Sequence, residues 1–470
     1  MSRLIVVSNR VSPPQDAGVA SAGGLAMALS AALRDGRGVW FGWSGNTVDA
    51  YTGQLTVQRV GDVTVALVDL EGQDVDEYYN GYANRTLWPL FHYRTDLAEY
   101  ERSYHEGYQR VNERFARALA PLLSPDDVIW VQDYHLIPLA QQLRKLGVRN
   151  RIGFFLHIPW PSRRLFLTLP GGRDLVSSLF DYDLVGFQAQ DHREAFSDYV
   201  VHEAGGAATE ADALRAFGKT VRIGVFPIGI DAEAFVEAAR LPPGEAQFAR
   251  MEKSKAGRKM LLGIDRLDYS KGLEDRFQAY ERFLGEHPEH HDQLFYLQIA
   301  TASREEVGTY QDLRARLDAI SGRINGAYAD LDWTPLRYVS RAYRRDELAG
   351  VYRAADVALV TPLRDGMNLV AKEFVAAQEA ADPGVLVLSR FAGAADQLKD
   401  ALIVNPFSRE EVGDAIREAI AMPLAERRRR WEAMMSIVMS ADVNAWRDDF
   451  VTTLSRPVPA VSQEPELRLV

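Results

Sequence analysis

The chain predicts an α/β protein made of two consecutive parallel-sheet units. Short apolar runs without polar alternation, such as Leu4-Ile-Val-Val7 and Asp356-Val-Ala-Leu-Val360, read as strands covered on both faces. Between them, apolar residues recur at helical spacing. At 470 residues the chain also exceeds what one ordinary core holds. A composition of 47% hydrophobic and 25% charged residues describes a soluble globular protein. The net charge of −11 argues against nucleic acid or a polybasic membrane surface as partner. The chain has no cysteine, which excludes disulfides, thiolate nucleophiles and Cys-based metal sites. With neither a signal-peptide run nor a membrane span, a cytoplasmic enzyme is expected.

The first unit opens with strand Leu4–Val7, then Ser8-Asn9-Arg10 and a Pro/Gly/Ala loop. Ala22-Gly23-Gly24 starts a helix to about Arg34, a place where backbone can approach a phosphate or sugar. Val39–Gly45 and Val63–Leu70 read as further strands. Tyr78–Tyr93 is dense in aromatics, fit for core or for a sugar-stacking wall. An amphipathic helix over Ser103–Leu123 leads to strand Val128–Val131, the polar tip Gln132-Asp133-Tyr134-His135, and a helix to Gly147. Strand Arg151–His157 must end at the histidine, because Ile158-Pro-Trp-Pro cannot continue a central strand. Leu184–Phe187 and Val221–Pro227 follow, and Ile228–Asp231 with Pro242-Pro243 reads as a hinge.

The second unit begins at Lys259–Asp265, whose loop Arg266–Gly272 feeds a helix with Leu273, Phe277, Tyr280 and Leu284 on one face. Strand Leu294–Ala300 ends at Thr301–Arg304. A long helix to about Ile320 and strand Leu336–Val339 lead to Asp346–Ala354 and the central stretch Thr361-Pro-Leu-Arg-Asp-Gly-Met-Asn-Leu-Val-Ala-Lys-Glu373. There a strand ends in a charged, Gly-containing loop that runs straight into a helix N-terminus. Such an end offers unpaired N–H groups and a positive dipole end, at the strand ends where ligands of open sheets collect. Asp365 and Glu373 can accept sugar hydroxyls, and Lys372 is expected to add a cation beside them. Strands Val385–Leu388 and Leu402–Val404 and helices to about Leu454 complete the unit. Arg266 and Lys271 flank another helix start, so two cations and a dipole end can meet a departing diphosphate.

As a set, Ser8-Asn9-Arg10, Ala22-Gly23-Gly24, Asp76–Asn80, Leu87-Trp-Pro89, Asp133-Tyr-His135, His157-Ile-Pro159, Arg266–Gly272 and Pro362–Glu373 resemble trehalose-6-phosphate synthases, in register from Met1 to about Leu454. The resemblance implies two Rossmann-like domains facing across a cleft (the GT-B fold), with 1–235 binding the acceptor and 236–441 the nucleotide-sugar. The last helix, 442–454, would pack back on the first domain, and the proline-containing tail 456–470 is expected to be disordered. The implied reaction is glucosyl transfer, with retention, from a nucleoside-diphosphate glucose (UDP-glucose expected) to glucose 6-phosphate. No cofactor or metal is expected, and a homo-oligomer is left open. Carried over residue by residue, Gly23 and Gly24 lie near the donor, and Arg266 and Lys271 hold its diphosphate. Glu373 takes the ribose, the Leu369–Val370 backbone lies along the nucleotide, and Tyr343 belongs to the donor pocket. Asp365 holds the transferred glucose with the N–H groups of Gly366, Met367 and Asn368, and His157 stands beside the reacting centre. Arg10, Tyr79 and Arg304 hold the acceptor phosphate, while Trp88 and Asp133 hold its sugar. The alternatives are an enzyme like glucosylglycerol-phosphate synthase, taking glycerol 3-phosphate, and a silent sugar-phosphate-sensing homologue. The departures are Ala302, where proline is frequent in the family, and Trp160, where phenylalanine also occurs.

Three other signals are set aside. Asp330-Leu-Asp-Trp-Thr334 spells D-x-D-x-T but lacks the preceding hydrophobic strand that an aspartyl phosphatase needs. His287, His290 and His291 sit in a Pro-containing connection without an acidic second shell. Arg427–Arg430 reads as a solvated helix face.

Overall fold

The computed structural model describes residues 3–11, 29, 33, 38–60, 63–209, 212–302 and 308–456. Gly23, Gly24, the helix expected from Ala22 apart from Leu29 and Leu33, Arg304 and the tail beyond Arg456 therefore lie outside the described residues.

The first sheet contains β1 (Leu4–Arg10), β2 (Val39–Val48), β3 (Leu55–Val60), β4 (Val63–Glu71), β5 (Val128–Gln132), β6 (Arg151–Phe155), β7 (Leu184–Phe187), β8 (Ala207–Thr209), β9 (Ala213–Ala216) and β10 (Lys219–Val225). Their order is β3-β4-β2-β1-β5-β6-β7-β10-β9-β8. The central strands pair in parallel and read as continuous buried runs; Leu4–Arg10 is covered at every position from Ile5 to Asn9. The antiparallel edge strands β3, β8 and β9 are additions that the sequence reading did not foresee. β3 is mostly exposed and alternates weakly, which explains why it carries little strand signal.

The second sheet is wholly parallel: β13 (Leu336–Val339), β12 (Leu294–Thr301), β11 (Lys259–Arg266), β14 (Val357–Val360), β15 (Val385–Ser389) and β16 (Leu402–Val404), in that spatial order. The strand order reverses between β1 and β5 in one sheet and between β11 and β14 in the other. Ligands of open α/β sheets bind at such switch points. The architecture is thus the two-unit α/β arrangement that the sequence predicts.

Several local expectations need correction. Pro242-Pro243 does not lie in a hinge loop. Both prolines start the helix Pro242–Lys255, where a missing N–H costs nothing, and only Ile228–Asp231 is extended connection. The helix expected to stop near Ile320 runs on over Gly308–Tyr328. It therefore leads directly into Asp330–Thr334, where Leu331 is fully exposed, so the D-x-D-x-T pattern has no strand in front of it. The arginine run lies on the helix Leu424–Ser440 with Arg428 and Arg429 exposed, as expected of a solvated face, while Arg427 donates to the Pro383 carbonyl, Arg428 to that of Ala381, and Arg429 pairs with Asp400. Among the described residues no helix is long and apolar enough to cross a membrane.

The C-terminal helix Val443–Ser455 lies against β6 and β7 of the first sheet. Its Phe450 ring is fully buried, 4.9 Å from Trp130 and 5.1 Å from Phe226. Gly153 and Gly186 make room for it, since a β-carbon at either would sit 2.6 or 2.7 Å from the ring. Phe450→Ala should cost about 3–5 kcal/mol and raise hydrogen exchange in β6 and β7. A urea-melt loss under about 1 kcal/mol would show that the helix is not held by this ring.

Candidate active site between the two sheets

On the second sheet, Arg266 ends β11 and the loop beyond it is built by short-range capping. Asp268 Oδ1 accepts the Ser270 N–H at 2.9 Å, Tyr269–Lys271 forms one 3₁₀ turn, and Gly272 takes a left-handed φ of 65° to start the helix Leu273–Glu286. A β-carbon at Gly272 would sit 2.6 Å from the Thr361 carbonyl, so this loop and the one after β14 touch. Beneath both lies Arg276, with a side chain wholly shielded from solvent. It pairs with Asp265 at 2.6 Å and donates to Gln298 Oε1 at 3.0 Å, Thr361 Oγ1 at 2.8 Å and the Lys271 carbonyl at 3.0 Å. One guanidinium thus fastens both loops to the strand ends.

Above it, Lys271 Nζ meets Asp365 Oδ2 at 2.5 Å, and Asn368 Nδ2 donates to the same oxygen at 3.0 Å. Asp365 is tied by backbone as well, its N–H bonding to the Phe391 carbonyl at 3.0 Å. Asn368 has φ 73° and precedes the helix Leu369–Ala377, whose first N–H groups have no capping side chain. Met367 is buried, and Leu369 and Val370 are partly covered at that helix start. Glu373 stands one turn further in and accepts from the Tyr352 hydroxyl at 3.2 Å. Burial pushes its carboxyl up, against the opposing pull of Arg345. Tyr343 lies two residues before Arg345, with the Arg341 guanidinium 5.4 Å from its ring.

Lys372 does not join this group, contrary to expectation. It is 1% exposed and donates to the Ile228 carbonyl at 2.6 Å, because three positions after Leu369 is the inward face of the helix.

On the first sheet, Arg10 ends β1, its guanidinium 5.8 Å from the Trp43 ring and alongside Gly45. Neither Arg10 nor Arg266 has a carboxylate partner among the described residues. Tyr79 lies in a π-helix, Val75–Leu87, and Trp88 follows directly as its C-cap, the Trp88 N–H reaching back to the Ala83 carbonyl. In an α-helix nine positions make about two and a half turns and would point the two rings apart. The wider i→i+5 turn brings them back toward one side. Both accordingly meet the turn after β5: Tyr79 stacks on His135 at 5.9 Å, and Trp88 lies 5.7 Å from Tyr134. In that turn Asp133 has a left-handed φ of 74°, held by the His157 N–H at 3.1 Å to its Oδ1. Tyr93, Asp133 and Asn368 all carry positive φ at this cleft, and such strain collects at functional sites.

His157 follows β6. Its Nε2 is 2.8 Å from Gln132 Oε1 and its Nδ1 is 3.3 Å from Gln188 Nε2, so both ring nitrogens are engaged. Burial pushes the imidazole down to about 3. Its carbonyl faces the other sheet, where a β-carbon at Gly366 would overlap it. Further contacts bridge the cleft. Arg266 lies 5.5 Å from the Trp88 ring, Arg364 3.7 Å from Tyr93, and Arg94 5.5 Å from Tyr269. The structure therefore brings Arg10, Tyr79, Trp88, Asp133 and His157 to face Arg266, Lys271, Asp365, Gly366 and Asn368. The sequence reading missed His92, Gln132, Gln188 and Arg276. Gln132 and Gln188 follow from the strand-end rule that singled out His157, since one closes β5 and the other comes directly after β7.

The model of glycosyltransferase family 20 matches residues 3–456. A trehalose-6-phosphate synthase of Cronobacter sakazakii is 48% identical over all of this chain and 98% of its own. An α,α-trehalose-phosphate synthase (UDP-forming) of Burkholderia xenovorans, solved in complex with glucose-6-phosphate, is 48% identical with a TM-score of 0.92, over 97% of this chain and 100% of its own. An Escherichia coli structure bound with UDP-2-fluoro glucose is also 48% identical, with a TM-score of 0.92 over 98% and 100%.

Burial also pushes His92 down to about 4, against the opposing charges of Asp268 and Asp365, and lowers His192. The unfolded chain protonates its histidines below about 6.5, whereas these stay neutral in the fold. The unfolded state then binds more protons, so this contribution to stability is complete above about 6.5 and declines toward 4. His92→Asn should make the fall in urea midpoint between pH 7 and 5 shallower than in the parent. An unchanged slope would show that His92 is accessible to protons.

Proposed function

The chain belongs to glycosyltransferase family 20, and we infer on that premise that it moves glucose from a nucleoside-diphosphate glucose to glucose 6-phosphate. The products are α,α-trehalose 6-phosphate, with the anomeric configuration retained, and the nucleoside diphosphate. The observation that carries the reading is the meeting of two switch points across one cleft, with Arg10 and Arg266 free of carboxylate partners among the described residues. UDP-glucose is the proposed donor, supported by the UDP-2-fluoro glucose bound to the E. coli relative. A cytoplasmic location belongs to the same reading and rests on the cysteine-free composition.

In this reading Arg266 and Lys271 receive the diphosphate and Glu373 the ribose hydroxyls. The diphosphate competes with Asp365 for Lys271, which frees the carboxylate for the glucose hydroxyls. Arg10, Tyr79, Trp88 and Asp133 hold the acceptor, with Arg304 expected to join them. As the glycosidic bond to the diphosphate breaks, negative charge grows on the departing oxygen, and two cations and a helix start are already in position to meet it. That oxygen takes the acceptor's proton on the same face, so the reaction needs no enzymic base. His157 supports this route, since both its nitrogens are engaged and its ring stays neutral. Asp365 is given to hydrogen bonding rather than nucleophilic attack in this scheme, with Asn368 Nδ2 still holding its Oδ2 once Lys271 turns to the diphosphate. The cations also make a metal unnecessary in this scheme.

The test is nucleoside-diphosphate release from UDP-, ADP- and GDP-glucose, with glucose 6-phosphate, with glycerol 3-phosphate and with neither, in the presence of a chelator. Release only with glucose 6-phosphate, giving a phosphorylated α,α-1,1 disaccharide by NMR, is expected. Lys271→Ala should lower kcat/KM by about 10²–10³. Release with glycerol 3-phosphate alone, or donor binding with no release, would overturn the reading. Loss of activity in chelator would remove the metal-free scheme.

A further inference from the structure

We propose that Gln188 is a positioning residue of the transfer, which holds the His157 imidazole as its neutral Nε2–H tautomer and couples that ring, through the Ile228 peptide, to Lys372 on the donor helix. The inference rests on the transferase reading and names how its two halves are set against each other.

Gln188 stands immediately after β7 and is 2% exposed. Its Oε1 accepts the Ile228 N–H at 2.9 Å, and this decides which way round the amide sits. The Nε2 end must then face His157, 3.3 Å from Nδ1. An N–H donor pointing at Nδ1 requires a lone pair there, so the ring proton is on Nε2, where Gln132 Oε1 accepts it at 2.8 Å. A second ring proton would set N–H against N–H. Geometry and burial thus act in the same direction on this imidazole.

Ile228 lies in the extended segment that joins the two sheets. Its N–H is bound from the first unit by Gln188, while its carbonyl accepts from Lys372 Nζ at 2.6 Å, from the second unit. Lys372 has no carboxylate partner among the described residues, and it sits one position before Glu373 in the helix Leu369–Ala377. The segment has little room to yield. A β-carbon at Gly229 would overlap Ala441 and Asp442 of the returning chain, and the Val443 N–H bonds to the Ile230 carbonyl at 3.1 Å. The N–H that Gln188 reads and the carbonyl that Lys372 holds belong to adjacent peptide planes joined at the Ile228 α-carbon, and the contacts at Gly229 and Ile230 limit how far one can turn without the other. A shift of the donor helix therefore turns this segment and moves the amide that orients His157.

The experiment compares ¹⁵N-histidine spectra and steady-state kinetics of the full-length protein and its variants. The parent should show His157 as a neutral Nε2–H ring from pH 5 to 8. Gln188→Met should replace that single pattern by mixed tautomers and lower kcat by about tenfold or more. The KM for the nucleotide-sugar should stay within about threefold, because Arg266, Lys271 and Glu373, which take its diphosphate and ribose, lie on the other sheet. Gln188→Glu should move the proton to Nδ1. Lys372→Met should disturb the same resonance, and the double variant should be no more than about twofold slower than Gln188→Met, since both cut one link. If Gln188→Met does not fold, Gln188→Asn carries the same readouts, its amide being too short to span His157 and Ile228. An unchanged tautomer with kcat within about twofold of the parent, or multiplicative losses for Gln188 and Lys372, would overturn the proposal. A parent that transfers no glucose would instead overturn the underlying reading.

Discussion

The carbonyl of His157 and the backbone of Gly366 approach so closely that no side chain fits between them, and this contact sets the distance between the loops of the first sheet and those of the second. Both partners sit on loops that the fold controls tightly. His157 follows a central parallel strand and is tied by its own N–H to Asp133. Gly366 follows Asp365, whose backbone is stitched to Phe391 and Ala392 next to β15. The two switch points are therefore placed against each other by backbone, which has far less freedom than long side chains would have.

Electrostatics follow from the same geometry. The chain carries a net charge of −11, and many arginines among the described residues are paired with carboxylates, as Arg110, Arg144, Arg276 and Arg353 are. Against that background, Arg10 and Arg266 lie over aromatic rings at the cleft without a carboxylate partner among the described residues. The buried pair of Arg276 with Asp265 does something different. Its desolvated charges interact strongly, and the remaining guanidinium hydrogens hold the Lys271 carbonyl and Thr361 in place. Charge beneath the loops after β11 and β14 thus fixes their shape, while Arg10 and Arg266 at the cleft have no carboxylate partner among the described residues.

Much of this was legible in the sequence because the signals are local. Buried parallel strands announce themselves as unbroken apolar runs, and the Arg266–Gly272 loop is written in turn chemistry, with Asp268 capping and Gly272 at positive φ. Motif resemblance supplied the partners that local chemistry does not reveal. What escaped depended on geometry across the chain. Tyr79 and Trp88 share a side only because Val75–Leu87 winds as a π-helix, which residue periodicity does not indicate. Lys372 looked like a cleft cation because it adjoins Glu373 at the end of the motif, yet its position in the helix turns it toward Ile228. Gln188 drew no attention, since its partners are 31 residues back and 40 residues on.

The most direct measurement is the turnover of Gly366→Ala, with separate binding isotherms for UDP and glucose 6-phosphate. The account predicts that the methyl group forces the two sheets apart, so that each ligand still binds within about threefold while transfer falls by about 10²-fold or more. Transfer at the parent rate with binding intact would contradict it, because the spacing of the cleft would then not depend on this backbone contact.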